Sequence, residues 1–365
     1  MIRYYTPGAS IEFLHLTGLN PAFNLSNSKL DLTNSVSLIF NADQVDTLFE
    51  YIDHATFNNV VSFPSNELII VDYYRYANCQ ELVNFLVKYE IKCKVYVVIQ
   101  YQNQKVEIEN ILNYFKLSNV QVIAYDFWMY KTYIENNSTK IDNIPNKKFS
   151  LFSRRYQVER FNFFTDLFFN EVIGNCHYTL TNFHPDTMIK EDKENLFKNV
   201  DEQYKTHPKF HEFKIWVDNL PYVFAENIHD PFANSTYRYI EKSDIHISIE
   251  TMQVFTFVSP VILTEKTYKP ILCKKPFLIL GVPNSLSLLR QNGFKTFHPF
   301  INEEYDTIDD FNERKKALVS ELKRLNAMPE NEFNYILEKC KETVDYNYDL
   351  FIRKVESKLF ADWGA

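Results

Sequence analysis

Glu265, Lys266 and Lys269 interrupt an otherwise apolar stretch, VILTEKTYKPILCKKPFLILGVP, at residues 261–283. On a helix, residues 265 and 269 share one face, so a carboxylate and an ammonium point the same way. A carboxylate accepts two hydroxyl hydrogen bonds and suits a ribose diol, while lysine suits a phosphate. A plain surface Glu–Lys pair is the alternative, and Pro270 argues against it because proline removes a helical hydrogen bond. Lys274 and Lys275 are assigned to a solvated turn before the next strand. A second charged set lies in SLFSRRYQVERFNFF, residues 150–164. Arg154 and Arg155 leave a predicted strand, and Arg160 follows within the next helix. Arginines at such a junction make a pyrophosphate clamp; a solvated helix start is the alternative. Only six glycines occur, too scattered to write a dinucleotide fingerprint or a P-loop. Phosphate must therefore be met by side chains or by a helix N-terminus.

The elements that must position these residues read as α/β. SVSLIF (35–40), ELIIVDYY (67–74), CKVYVVIQ (93–100) and VQVIAYDF (120–127) are β-branched runs. Amphipathic segments separate them: ADQVDTLFEYIDHA (42–55), CQELVNFLVKYEI with Leu82, Val83, Leu86 and Val87 on one face, and EIENILNYF. This alternation predicts a doubly wound parallel sheet covered on both faces. A polar, Asn-rich segment at 133–148 reads as a linker. A second series then begins: KFSLFS (148–153), a helix from Arg154 to Ile173, CHYTLTNF (176–183), DIHISIET (244–251) and PFLILG (276–281). Residues 184–240 give no clear order. From Ile308 onward the pattern is helical. The expectation is two facing Rossmann-like domains, 1–146 and 147–365, closed by C-terminal helices. In such folds ligands sit at the carboxyl ends of the strands, and the cleft between the halves is the expected site.

Composition narrows the classes. With 45% hydrophobic residues the chain can build real cores, which excludes wholesale disorder. The balance of 39 basic against 47 acidic residues disfavours nonspecific coating of nucleic acid. Five scattered cysteines without a CxxC pair fit a reducing compartment and argue against a disulfide framework or a zinc site. No signal peptide or membrane span is legible, so a soluble, cytoplasmic protein is expected.

TEKTYKPILCKKPFLILGVPNSLSLLRQNGFKTF (264–297) resembles the donor-binding segment of GT-B-type glycosyltransferases, including fucosyltransferase-like and exostosin-like enzymes. It is more similar still to a group of phage and marine viral proteins that join this element to an arginine-rich one before it and an acidic one after it. Here the flanking elements are SRRYQVER (153–160) and NEEYD (302–306). The resemblance covers roughly residues 148–350 and implies a hexosyltransferase-like enzyme using a UDP- or GDP-sugar. It places Glu265 on the donor ribose, Lys266 and Lys269 near the phosphates, and Arg154 and Arg155 on the pyrophosphate. The chain departs from the pattern at Ser153, Gln157 and Glu159, where the group has Asn, Arg and His. No DxD metal site is present, so no essential metal is expected. A viral setting implies the host cytoplasm and makes a hydroxymethylated DNA base one candidate acceptor; a glycan or a protein is another.

An inverting transfer needs a general base. Asp72 in IIVDYYRY is placed best by pattern and Asp126 in IAYDF second, while Asp43 suits a helix cap. A retaining enzyme needs no such base, and the sequence leaves both stereochemistries open. Tyr73, Tyr74 and Tyr76 beside Arg75 suit stacking on a sugar or base, or packing against a helix. The other function class is a noncatalytic nucleotide- or glycan-binding protein that keeps the fold. A DNA-binding structural protein ranks third.

Overall fold

The computed structural model describes residues 2–5, 23–24, 36–41, 48, 52–71, 79–99, 109–110, 112–114, 116–124, 127–134, 144–153, 155–182, 193–222, 235–250, 261 and 263–356. They divide into two compact units, those up to Tyr130 and those from Lys131 to Glu356. Each is α/β and is built on its own parallel sheet.

The first unit contains β1 (Ile2–Tyr5), β2 (Phe23–Asn24), β3 (Val36–Asn41), α1 (His54–Ser62), β4 (Glu67–Val71), α2 (Cys79–Lys88), β5 (Lys94–Ile99) and β6 (Val120–Ala124). The sheet order is β2-β1-β3-β4-β5-β6. Leu68, Ile69 and Ile70 are buried in succession on β4, which requires cover on both faces. The short strands β1 and β2 extend the sheet beyond the four strands read from the sequence. Asn66 stitches the amino end of β4: its Oδ1 accepts the Val36 N–H at 2.9 Å and its Nδ2 donates to the Val60 carbonyl at 2.9 Å.

Two expectations are corrected here. The helix read over 42–55 cannot run through Asp53, which is extended (φ −70°, ψ 153°) and caps α1 by accepting the Thr56 N–H at 2.8 Å. Residues 42–47 and 49–51 lie outside the described ones. On α2 the buried stripe runs through Phe85 and Leu86, and Val87 is exposed. At 100° per residue, Val87 stands about 200° from Phe85 and leaves the core face.

The second unit follows α3 (Phe127–Ile134) and contains β7 (Lys147–Ser153), α4 (Val158–Phe169), β8 (Cys176–Leu180), α5 (Lys193–Lys198), α6 (Glu202–Lys205), α7 (Phe210–Asp218), α8 (Ser235–Glu241), β9 (Ser243–Ile249), α9 (Glu265–Leu272), β10 (Phe277–Leu280), α10 (Ser285–Gln291), α11 (Phe311–Ala327) and α12 (Glu330–Glu356). The sheet order is β10-β9-β7-β8. Helix α4 is shorter than expected: Gln157 is extended at its N-cap, so Arg155 precedes the helix. The unordered region 184–240 holds α5 to α8. Among these, α7 buries Phe213, Trp216 and Val217 against Phe168 and Phe169 of α4.

The acidic element NEEYD locks the edge of this sheet. The Tyr305 hydroxyl accepts the Ile279 N–H at 3.1 Å on β10, the edge strand. The Asp306 carboxylate accepts from Leu286 N at 3.0 Å and Ser287 N at 3.3 Å, closing the start of α10. Glu303 accepts the His298 N–H at 3.2 Å. Arg314, 1% exposed, donates from Nε to the Gly281 carbonyl at 3.1 Å and from Nη1 to Ile308 and Asp309 carbonyls. These charges serve the fold.

Candidate functional site

Register sets the geometry. Leu151 of β7 pairs with Ile247 of β9, and Ser153 pairs with Leu180 of β8. The carboxyl ends of β7 and β9 therefore lie side by side, and Glu250 sits one residue past β9. The Arg160 side chain, in the first turn of α4, is 3% exposed and donates from Nη2 to the Glu250 carbonyl at 3.1 Å. Its Nε finds no hydrogen-bond partner, and neither do Gln157 Oε1 at the helix cap and Asn182 Oδ1 beyond β8. Burial pushes the guanidinium down to about 10, with Glu250 and Glu265 acting against that and Arg155 adding to it. Arg155, Arg160, Glu250 and Glu265 thus share one electrostatic neighbourhood.

Glu250 is the residue that sequence reading missed. Its carboxylate, 1% exposed, accepts from Thr264 N at 3.0 Å, Thr264 Oγ1 at 2.7 Å and Thr267 Oγ1 at 2.6 Å. It therefore fixes the start of α9, where Thr264 is the N-cap. Negative charge at that end also suits the helix dipole. The predicted strand 244–251 swallowed Glu250 as an ordinary strand residue, and its partners lie 14 and 17 residues away, beyond any local signal.

Glu265 and Lys266 open α9 together. The Lys266 ammonium donates to Glu265 Oε1 at 2.7 Å and to Thr264 Oγ1 at 3.2 Å. Burial alone raises the Glu265 carboxyl, but Lys266 and Lys269 outweigh it and leave it below its ordinary value. Glu265 is therefore held as a carboxylate, ready to accept hydroxyl hydrogen bonds. Lys269 is as buried as Glu265. It is 8% exposed, donates to Thr236 Oγ1 at 3.2 Å and lies over the Tyr237 ring at 5.3 Å.

Pro270 sits inside α9 and cannot donate to the Lys266 carbonyl one turn back. Ser248 of β9 supplies that bond, its Oγ donating to the Lys266 carbonyl at 2.8 Å. The proline thus trades a helical bond for a strand-to-helix bond. Of the two lysines assigned to a solvated turn, Lys274 is exposed, whereas Lys275 is half-buried and its ammonium is pushed down by that burial.

Of the residues singled out from sequence, Arg155, Arg160, Glu265, Lys266 and Lys269 are placed in this unit. Asp43, Asp72, Tyr73, Tyr74, Arg75, Tyr76, Asp126 and Arg154 lie outside the described residues. Ser153, which stands where the resembled group has Asn, donates to the Arg155 carbonyl at 3.1 Å and so shapes the same turn. Among the described residues, no group of three or more His, Cys, Asp or Glu side chains is placed to hold a metal ion. Among them, too, no helix is long and apolar enough to cross a membrane.

No family model matches the chain, and no curated protein matches it. Among solved structures it is similar to an alpha,alpha-trehalose-phosphate synthase (UDP-forming) from Burkholderia vietnamiensis, at 11% identity and a TM-score of 0.41 over 88% of this chain and 72% of that one. It is also similar to the DNA modifying enzyme beta-glucosyltransferase, at 11% identity and a TM-score of 0.40 over 98% and 96%. A T4 phage BGT point mutant in complex with UDP-glucose gives 12% identity and a TM-score of 0.37 over 99% and 97%. These are distant likenesses of shape.

Proposed function

We propose that this chain is a GT-B-type glycosyltransferase that moves a sugar from a nucleoside-diphosphate donor to an acceptor hydroxyl. Arg160 carries the reading: a guanidinium 3% exposed, with Nε unmatched, at the carboxyl edge of a parallel sheet beside the Glu265–Lys266 pair. Leaving a buried donor unmatched costs about 1–3 kcal/mol, a cost that a ligand oxygen removes. In this reading a diphosphate oxygen meets Arg160 and Lys266, and Arg154 and Arg155 are the further cations assigned to the pyrophosphate. Glu265 accepts the ribose hydroxyls, and Lys269 keeps Glu265 ionised. Asp72 or Asp126 serves as base if the transfer inverts. UDP- and GDP-sugars are the donors to try, and no metal is invoked. The acceptor is a hydroxymethylated base in phage DNA, which a duplex must flip out, or a glycan or protein hydroxyl; the setting is the cytoplasm.

Calorimetry with UDP, GDP and ADP is the first test. One of them should bind, and Glu265→Ala or Lys266→Ala should weaken it by about 30-fold or more, the worth of a charge-assisted bond. If none of the three binds, the reading is wrong. Mass spectrometry of nucleosides after incubation with hydroxymethylated DNA and donor then decides the acceptor. The departures at Ser153, Gln157 and Glu159 favour a second reading, a binding protein without transferase chemistry. Donor binding with no hydrolysis or transfer across an acceptor panel would select it.

A further inference from the structure

We propose that Glu250 is a positioning residue that holds the Lys266 ammonium in place through the Thr264 hydroxyl while its own carbonyl holds Arg160. The role assigned to Lys266 in the proposed donor site supplies the purpose of this hold, but the hold itself stands on separate contacts. The Lys266 ammonium donates to Thr264 Oγ1 at 3.2 Å, and Thr264 Oγ1 donates onward to Glu250 Oε2 at 2.7 Å. A hydroxyl that accepts from an ammonium and donates to a carboxylate has its proton direction fixed at both ends. Glu250 Oε1 is occupied separately by Thr264 N and Thr267 Oγ1, which keeps the carboxylate from turning. The main chain of the same residue accepts Arg160 Nη2 at 3.1 Å. One residue past β9 thereby sets two cations that come from different helices, α4 and α9. Lysine has four rotatable bonds, and fixing its ammonium in advance lowers the ordering cost when an anion arrives.

An amide at position 250 does not reproduce this. Glu250→Gln can turn its NH2 toward Thr264, which reverses the hydroxyl and takes from Lys266 the lone pair it uses. Thr264→Val removes the relay together with the N-cap acceptor of α9 and keeps the Glu250 carboxylate. Thr264→Ser keeps the hydroxyl and serves as the rescue.

Two readouts on the full chain test the relay. The first needs no nucleotide: competitive acetylation with limiting acetic anhydride, read by mass spectrometry at Lys266. Losing a hydrogen bond worth about 1 kcal/mol exposes the amine several-fold, so Thr264→Val and Glu250→Gln should raise the Lys266 rate by about threefold or more while Thr264→Ser returns it to the wild-type value. Lys274, exposed just past α9, reports loosening of that helix and should not rise with Lys266, and a distant lysine, Lys339, normalises for general loosening. An unchanged Lys266 rate in both variants overturns the relay, and so does an equal rise at Lys274 or Lys339. The second readout is the affinity for UDP or GDP. Thr264→Val should weaken binding by about fivefold in the wild-type background and not at all in Lys266→Met, since a relay through Lys266 has nothing to hold there. An equal loss in both backgrounds overturns the relay. If labelling responds as stated but the wild-type chain binds neither nucleotide, the donor-site reading fails while the hold on Lys266 survives.

Discussion

At the amino-terminal end of β7, Lys147 donates to the Gly174 carbonyl at 2.7 Å, and Lys148 donates to the Asn326 carbonyl at 2.9 Å, with Leu325 and Met328 at 3.4 and 3.3 Å. Both cations end on backbone oxygens, and Lys148 closes the last turn of α11. At the carboxyl-terminal end of the same sheet, Arg160, Lys266, Glu250 and Glu265 meet through a linked set of hydrogen bonds, and the Arg160 Nε is left unmatched. Both ends place cations beside the core, so charge in that position does not by itself mark a site. What separates them is a buried remainder: at one end the bonds run from partly exposed ammonium groups to main-chain oxygens, and at the other a buried guanidinium N–H is kept in reserve.

The largest effects should divide along this line. Glu265→Ala should weaken nucleoside diphosphate binding by about 30-fold or more, whatever stability it also costs by leaving Lys266 without its carboxylate. Lys148→Met should lower stability by about 2 kcal/mol in urea titrations, since it strands helix-terminal carbonyls, with nucleotide affinity unchanged. Were Lys148→Met to impair binding as strongly, the distinction between the ends would collapse.

A further effect, absent at neutral pH and growing in acid, comes from the middle of the sheet. His246, buried on β9, meets Ser150 Oγ through Nδ1 at 2.8 Å. Burial, and then the Lys269 charge, push its ring from the ordinary 6.5 down to about 3. Between those values the unfolded chain binds a proton that the folded chain refuses. Stability therefore falls as pH drops from about 6.5 toward about 3, by up to about 1.4 kcal/mol per pH unit. His246→Asn should flatten that slope between about pH 7 and 5 and leave binding at neutral pH alone. The smallest effect is Thr236→Val, which takes one acceptor from Lys269. It should cost about 1 kcal/mol or less and sharpen the comparison by weakening nucleotide binding only slightly.

Periodicity made much of the fold legible. The strands β3 to β6 follow β-branched runs, and β10 follows the apolar run FLIL, because parallel strands covered on both faces need continuous apolar sequence. The charges of α9 were legible for the converse reason, since Glu265 and Lys266 interrupt such a run. Helices α5 to α8 were not, because at four to nine residues they offer too few turns for a 3.6-residue pattern to accumulate. The spacing of Phe213, Trp216 and Val217 was the one usable signal there. Glu250 stayed hidden because its role depends on register between distant segments. The contact of Lys269 with Thr236 and Tyr237 of α8 was not legible, because a sequence face does not say whether it meets solvent or another helix.

The Ser248–Pro270 exchange has a consequence for how this segment tolerates change. With Pro270 present, the Lys266 carbonyl takes the Ser248 hydroxyl in place of a helical N–H, so removing the hydroxyl first takes away that substitute. With an ordinary residue at 270, the helix supplies its own donor and the serine becomes dispensable. The same two replacements are thus harmful in one order and mild in the other. Order therefore matters in the segment that carries Glu265 and Lys266: the serine is given up at least cost once the proline has gone, and the buried proline needs a replacement that fits its site.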